Sequence, residues 1–402
     1  MELYLDESPV YLRGIQELLA KSGRAGWEED FQLFVKQSAE YDDYLRTHVL
    51  PNARRDFRMP RDLYAHTLRM RGIEASPEEL IRSARKAYKE NMKDFRAVAK
   101  EVAKLEGLKT AEPANVIAHL KKKQVVKPED VKALFESANA ALEKIIVAQG
   151  LVSLPAFPLR VRVAGEAESI SDPIPHLNPP ALVGNKGQRP EFVVPSFTAG
   201  RAVVDDFSYE AAALVLSAHE GRPGHDLQFS SMLDNGISVI RARYAFNNAN
   251  VEGWALYAEE LVYPYLPAQA RLVALQMRLI RIARAFLDPE IQLGKIRDRD
   301  VTDLLTRELG LSARLAQLEL RRYQYESPGQ APSYFYGQTR LASARKRVAS
   351  SLGLRFTGKC FNDGVLSLGM MPVGLLGGQL EKNLNCFPGK AQARMPSKSL
   401  TN

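Results

Sequence analysis

Cysteine is nearly absent from this 402-residue sequence, occurring only at Cys360 and Cys386. Two thiols cannot make a disulfide framework or a four-thiolate metal site, and they read as free thiols of a cytoplasmic protein. Histidine occurs six times, so any imidazole chemistry must come from a handful of positions. No apolar run approaches the roughly 18 to 20 residues that span a bilayer, which excludes a membrane-spanning helix. An excess of one charge sign is also small: 55 basic against 47 acidic side chains leave +8 over the whole length, a modest basic bias. The densest basic cluster, Lys121-Lys122-Lys123 with Lys127, has no interleaved aromatics or glycines. It reads as a solvated loop between helices, so no nucleic-acid partner is expected. The first residues, Met-Glu-Leu-Tyr-Leu-Asp-Glu, lack the basic segment and apolar stretch of a signal peptide. With Met1 as the native start, the expected location is the cytoplasm.

What is present suffices for a large core, since 45% of the residues are hydrophobic. Residues 1–150 read as helices. Ser76-Pro77-Glu78-Glu79 is a capping box with proline at the first helical position. Behind it Leu80, Ile81, Ala84, Tyr88, Phe95, Val98 and Val102 recur at helical spacing until Gly107. A further helix is expected from near Pro128 to before Gly150. Residues 151–200 carry eight prolines, which forbid long helices. There Leu159–Val163 and Phe192–Val194 look like strands of a small β element. From 201 to 387 the pattern is helical again, with Ser208 as the expected cap of a helix reaching Glu220. Other helices are expected from Asn250 to Tyr263 and from Pro267. Residues 388–402 read as a polar tail. The expected fold is mostly α with one small β element around 151–200.

Four histidines, His48, His66, His119 and His176, are isolated and read as surface or satisfied core residues. His219-Glu220-Gly221-Arg222-Pro223-Gly224-His225 is different. Metalloproteases of the zincin type carry His-Glu-x-x-His, whose spacing stacks two imidazoles on one helical face. A spacing of six rotates the second ring by about 240° on an unbroken helix. Pro223-Gly224 can stop the helix and swing His225 back. A catalytic zinc wants three protein ligands, and with no third histidine nearby the remaining one should be a carboxylate. Asn250–Glu260 offers Glu252 and Glu259 on one face, with Glu260 off it. The apolar setting of Glu252 favours it as ligand, with Glu259 as support or substitute. Glu260 reads as a solvated helix charge.

The strings His219–Gln228 (HEGRPGHDLQ), Glu252–Glu259 (EGWALYAE), Pro328–Gly337 (PGQAPSYFYG) and Phe361–Pro372 resemble the bacterial family catalogued as domain of unknown function 885. Leu50–Leu68 also resembles that family's pattern. Its members look like zinc metallopeptidases, with a common motif His-Glu-Ala-Tyr-Pro-Gly-His-His-Leu-Gln. The resemblance implies one Zn2+ per chain on His219, His225 and Glu252, and Glu220 as general base towards a metal-held water. It also implies Tyr334 as a phenol facing the oxyanion and Arg345 as a clamp for a substrate carboxylate. The sequence departs from the motif at Asp226, where the family has a second histidine, and at Asn362, which replaces the histidine of Phe-His-Asp. Family members also start upstream of Met1.

The reading is therefore a mostly α, zincin-like zinc metallopeptidase acting on peptides. An exposed edge strand of the β element could hold an extended peptide by strand addition. The alternative is a catalytically degenerate, zinc-binding or metal-free helical scaffold.

Overall fold

Apolar stripes at helical spacing become helices wherever a cap and a neighbour allow it. The computed structural model describes residues 2–196, 204–384 and 386, and these are mostly helical with one small sheet. The expected tail, 388–402, lies outside the described residues.

The first half runs through α1 (Glu2–Lys21), α2 (Glu28–Tyr44), α3 (Arg61–Met70), α4 (Pro77–Leu105), α5 (Pro113–Lys123) and α6 (Val131–Gln149). The capping box of α4 forms as expected. Ser76 Oγ accepts from the Glu79 N–H at 3.3 Å while Glu79 Oε2 accepts from the Ser76 N–H at 2.8 Å. Leu80, Ala84, Phe95, Val98 and Val102 are buried on its inner face. One expectation fails here: Lys121-Lys122-Lys123 is no loop but the last turn of α5, where cations complement the helix dipole. Lys121 Nζ reaches Asp206 at 2.5 Å and Lys123 Nζ reaches Glu106 at 2.6 Å.

The proline-rich middle holds β1 (Val161–Val163), α7 (Glu166–Ser171), β2 (His176–Asn178) and β3 (Glu191–Val194). The sheet order is β1-β3-β2, with Val161 opposite Phe192 in parallel and His176 opposite Val193 in antiparallel register. The strand β2 was not expected, because His176-Leu177-Asn178 contains no β-branched residue and lies between prolines.

The second half comprises α8 (Glu210–Glu220), α9 (His225–Asn235), α10 (Val239–Tyr244), α11 (Asn248–Val262), α12 (Ala268–Gln292), α13 (Asp298–Asp303), α14 (Ala313–Arg321), α15 (Ser333–Leu352), α16 (Gly358–Ser367) and α17 (Val373–Asn383). Ser208 does not cap α8. Tyr209 stands at that position, and the Ala211 N–H is taken by Gln124 Oε1 at 3.1 Å. The long helix α12 is buried along nearly its whole length and packs against α4, α8 and α15. A helix buried all round has to partner its polar side chains internally. Arg284 pairs with Glu319 and Asp288 with the Tyr64 hydroxyl and the Gly329 N–H, while Arg281 reaches Glu259 at 3.4 Å through Nη2 and leaves Nε and Nη1 without a hydrogen bond. Helices α11 and α15 approach so closely that a Cβ on Gly337 would lie 1.8 Å from the Ala249 carbonyl oxygen. Only glycine permits that crossing, which brings Glu252 on α11 beside the start of α15.

The cysteines correct a further expectation. Cys360 and Cys386 are not free thiols but form a disulfide across a sequence separation of 26. Packing of α16 against α17 brings their Cα atoms to 5.6 Å, within bonding range. A count of thiols carries no information on that proximity.

Candidate metal centre

The His219–His225 string lies across a helix break. Helix α8 is an alanine-rich, almost wholly buried helix that ends at Glu220, and α9 starts at His225. The four residues between form a tight turn in which a Cβ on Gly224 would sit 1.8 Å from the His219 carbonyl oxygen. The turn is gripped from three sides. Arg222, 2% exposed, donates from Nε to Asp226 Oδ2 at 2.8 Å, from Nη1 to Glu143 Oε1 at 2.6 Å and from Nη2 to the Phe157 carbonyl at 2.8 Å. Trp254 Nε1 on α11 donates to the Pro223 and Gly224 carbonyls at 3.1 and 3.2 Å. Asn139 on α6 donates to Ser217 Oγ at 3.1 Å. Asp226 is thus spoken for by Arg222.

The break returns His225 to His219, with ring centroids 4.9 Å apart. His219, Glu220 and His225 each offer a ligand atom within 4.8 Å of the others, so this group could hold a metal ion. Glu252 stands in the same place: its Oε2 is 3.7 Å from His219 Nε2 and 3.5 Å from His225 Nε2. That oxygen is buried and accepts no hydrogen bond, and the buried His225 Nδ1 is likewise unpartnered. Glu252 Oε1 accepts from Gln330 Nε2 at 3.3 Å. Behind His219, Glu259 Oε1 lies 2.6 Å from Nδ1, and Arg281 in turn lies 3.4 Å from Glu259. Burial works against a charge on Glu252, but the two imidazoles outweigh it and hold the carboxyl well below its usual range. Burial also disfavours charge on His219, yet Glu252 and Glu259 push its imidazole up to about 9. Carboxylates around two imidazoles make a pocket of negative potential that suits a cation.

Glu220 is fixed by the sheet. Its Oε2 accepts from the Leu177 N–H of β2 at 2.9 Å, and its Oε1 lies 3.9 Å from His219 Nε2. The outer side of β2 therefore has no spare donor: Leu177 is committed, and Pro175 and Pro179, which share that side, have no N–H. The β2 edge therefore offers an extended peptide no backbone donor for strand addition; β1 is the other edge of the sheet. Tyr334, at the start of α15, stacks its ring 6.1 Å from that of His219. Its hydroxyl accepts from Arg322 Nη2 at 3.3 Å. Burial, reinforced by Glu252, pushes its phenol up, so it stays a donor. Glu220, His225, Glu252 and Tyr334 border a cavity of about 570 Å³ that is also walled by β2, by Glu7 and Tyr11 of α1 and by Arg314, Arg321 and Arg322.

Arg345 does not belong to that wall. Its guanidinium lies over the Phe356 ring at 5.6 Å, beside the Tyr257 hydroxyl, which donates to Asn362 Oδ1 at 2.8 Å. Asn362 itself donates to the Leu151 carbonyl. Glu260 is not a solvated charge, since it accepts from Gln338 Nε2 at 2.9 Å and faces Arg278 at 3.5 Å. His176, set aside in the sequence, lines the cavity. Arg322 had no sequence signal of its own; Gln330 lies in the Pro328–Gly337 string, but its hydrogen bond to Glu252 is a contact across the fold.

The family described as "bacterial protein of unknown function (DUF885)" matches residues 15–380. This chain belongs to the DUF885 family. Two solved structures share the fold. One is described as a "putative lipoprotein of unknown function" from Shewanella oneidensis; it has a TM-score of 0.73 and 20% identity, over 91% of this chain and 69% of that one. The other, a "putative lipoprotein" from Colwellia psychrerythraea, has a TM-score of 0.72 and 21% identity, over 87% of this chain and 60% of that one. No curated protein matches the sequence. The departures from the DUF885 motif sit away from the ligand atoms: Asp226 serves the Arg222 clamp, and Asn362 lies in the Tyr257 cluster. Among the described residues, no helix is long and apolar enough to cross a membrane.

Proposed function

We propose that this DUF885 chain is a zinc-dependent peptidase in which His219, His225 and Glu252 hold the metal. The observation that carries the reading is the convergence of Glu252 Oε2 on both Nε2 atoms, at 3.7 and 3.5 Å, with no hydrogen bond to that buried oxygen. Ligand atoms of a tetrahedral zinc stand about 3.4 Å apart, so the donor set fits in number, chemistry and spacing. When bound, zinc supplies Lewis-acid polarisation of a carbonyl and a lowered pKa for water.

The chain's own groups then have separate tasks. Glu259 takes the Nδ1 proton of His219 in a hydrogen bond, which leaves the Nε2 lone pair for the metal. The Leu177 N–H pins one oxygen of Glu220, leaving Oε1 to accept the proton of the attacking water and pass it to the leaving amine. The Tyr334 hydroxyl donates to the developing oxyanion. Hydrolysis adds one water across the peptide bond and needs no covalent intermediate. That Asp226 and Asn362 are both occupied elsewhere supports an active enzyme over a degenerate scaffold. The disulfide and the likeness to proteins described as lipoproteins support a place outside the reducing cytoplasm.

Glu220→Gln tests the reading. It keeps the size of the side chain but removes its basicity. The variant should retain about one zinc per chain and lose roughly 10²-fold or more in turnover. Turnover equal to that of the parent, at equal zinc content, sinks the mechanism.

A further inference from the structure

Two cations share one carboxylate on the cavity wall. Arg284 of α12 grips Glu319 of α14 in a fork, from Nε to Oε2 at 2.8 Å and from Nη2 to Oε1 at 2.5 Å. The Tyr323 hydroxyl adds a donor to Oε2 at 2.6 Å. Glu319 is thereby used up, and Arg322 reaches it only through Nη1 at 3.8 Å. The remaining hydrogen-bond partners of Arg322 are neutral: its Nη2 donates to Gln330 Oε1 and to the Tyr334 hydroxyl. The nearby Asp288, whose carboxyl burial pushes up to about 7, is bonded to the Tyr64 hydroxyl and the Gly329 N–H. Arg284 and Arg322 against Glu319 leave one positive charge over. The side chains of the three are 10%, 22% and 2% exposed, so that charge is poorly hydrated.

The other acids bordering the cavity do not cancel it. Glu326 is 2.7 Å from Arg321, and Asp172 is 3.4 Å from His176. Glu7 faces Arg321 and Arg314. Glu220 and Glu252 belong to the metal group. Arg322 is left as an arginine lining the cavity, one hydroxyl away from the ring that stacks on His219.

We infer that Arg322 binds the free C-terminal carboxylate of a peptide, so that the site cuts within one or two residues of the chain end. This rests on the peptidase reading above. A guanidinium is matched to a carboxylate by its planar fork of donors. An extended residue spans at most about 3.6 Å, and Tyr334, assigned to the scissile carbonyl, is 3.3 Å from Arg322. A carboxylate on Arg322 and a carbonyl at Tyr334 can therefore belong to adjacent or next-adjacent residues. The donor-poor edge of β2 fits the same picture, because a substrate that gains little from a backbone ladder needs a charged end to hold it in register.

Two peptide libraries of identical sequences, one ending in free acids and one in amides, are digested by the zinc-loaded protein and read by mass spectrometry. The expected result is release of single residues or dipeptides from the acid ends, with the amides cut at least tenfold more slowly. Binding is measured separately by calorimetry on zinc-loaded Glu220→Gln, using acetylated penta-alanine as acid and as amide. The acid should bind at least tenfold tighter. That preference should vanish when Arg322→Gln is added and survive in part with Arg322→Lys, with thermal melting to verify the fold of each. Equal cutting of internal bonds in both libraries, or an acid that binds no better than its amide, overturns the inference. An amide with a C-terminal glutamate binding as well as the free acid also overturns it, because the site then takes any carboxylate. If neither library is cut, the peptidase reading fails, while the acid-over-amide preference still decides the role of Arg322.

Discussion

Removing Asp226 separates a structural clamp from a metal ligand. Asp226 stands where the family motif has a histidine, and it is 1% exposed with its Oδ2 on Arg222 Nε at 2.8 Å. Asp226→Ala leaves the Arg222 guanidinium in place, 2% exposed, with Glu143 and the Phe157 carbonyl as its remaining partners. Breaking a buried ion pair from one side costs about 3–5 kcal/mol. Two features put this case at the lower end. Arg222 keeps Glu143, whose side chain is 33% exposed. Burial also already pushes the Asp226 carboxyl up despite Arg222, so the pair is not fully favourable to begin with. A loss of about 3 kcal/mol is a factor of roughly 150 in the folding equilibrium. Urea unfolding of metal-free parent and variant provides the stability assay, with zinc content measured separately on the zinc-loaded forms of both. The expected outcome is reduced stability with about one zinc retained. Asp226→Asn, which keeps an acceptor for Arg222, should fall between the two. A variant that loses its zinc at unchanged stability refutes the reasoning, because Asp226 is then a ligand and not a clamp.

Glu252→Ala should weaken zinc binding by orders of magnitude, whereas Glu260→Ala, which loses contacts only to Gln338 and Arg278, should leave it nearly unchanged. Equal zinc affinity in both variants moves the carboxylate ligand elsewhere, with Glu259 next to be examined. Stability should also depend on pH through Asp288. Burial pushes its carboxyl from 3.8 up to about 7, against the opposing pull of the Gly329 N–H and the Tyr64 hydroxyl. The folded pKa lies above the unfolded one, so between about pH 4 and 7 only the folded state holds the proton and stability falls as pH rises. The fall amounts to about 4 kcal/mol by pH 7, and Asp288→Asn should remove it. A difference between parent and variant that stays constant from pH 4 to 7 counts against this assignment.

Much of the candidate site was legible because local chemistry marks it. The His219–His225 string announces itself through residue types that are rare in this chain, and Pro223-Gly224 signals that a regular helix cannot continue. Glu252 and Glu259 share a face by helical arithmetic alone. The failures have one common cause. The resemblance implied Arg345 as a substrate clamp, but α15 is long enough to carry Tyr334 to the cavity and Arg345 away from it, to the Tyr257 cluster. β2 escaped notice because its pairing with β3, not its composition, makes it a strand. Arg322 escaped because an arginine in a basic run looks like any solvated charge until its neighbours are known.

The sequence by itself determined the helical majority, the cap of α4, the break between α8 and α9 and which side chains are candidates to hold a metal. Each follows from periodicity, from the backbone limits of proline and glycine, or from the donor atoms a residue carries, all properties of a short stretch of chain. Only the tertiary structure decided the pairing of Cys360 with Cys386, the convergence of α8, α9 and α11 on one point, and the pinning of Glu220 by Leu177. It alone decided that Arg284 and Arg322 compete for Glu319. Apart from the local Arg322–Glu319 pair, these depend on distances between residues tens of positions apart, which are set by how the helices pack, and no local pattern encodes them.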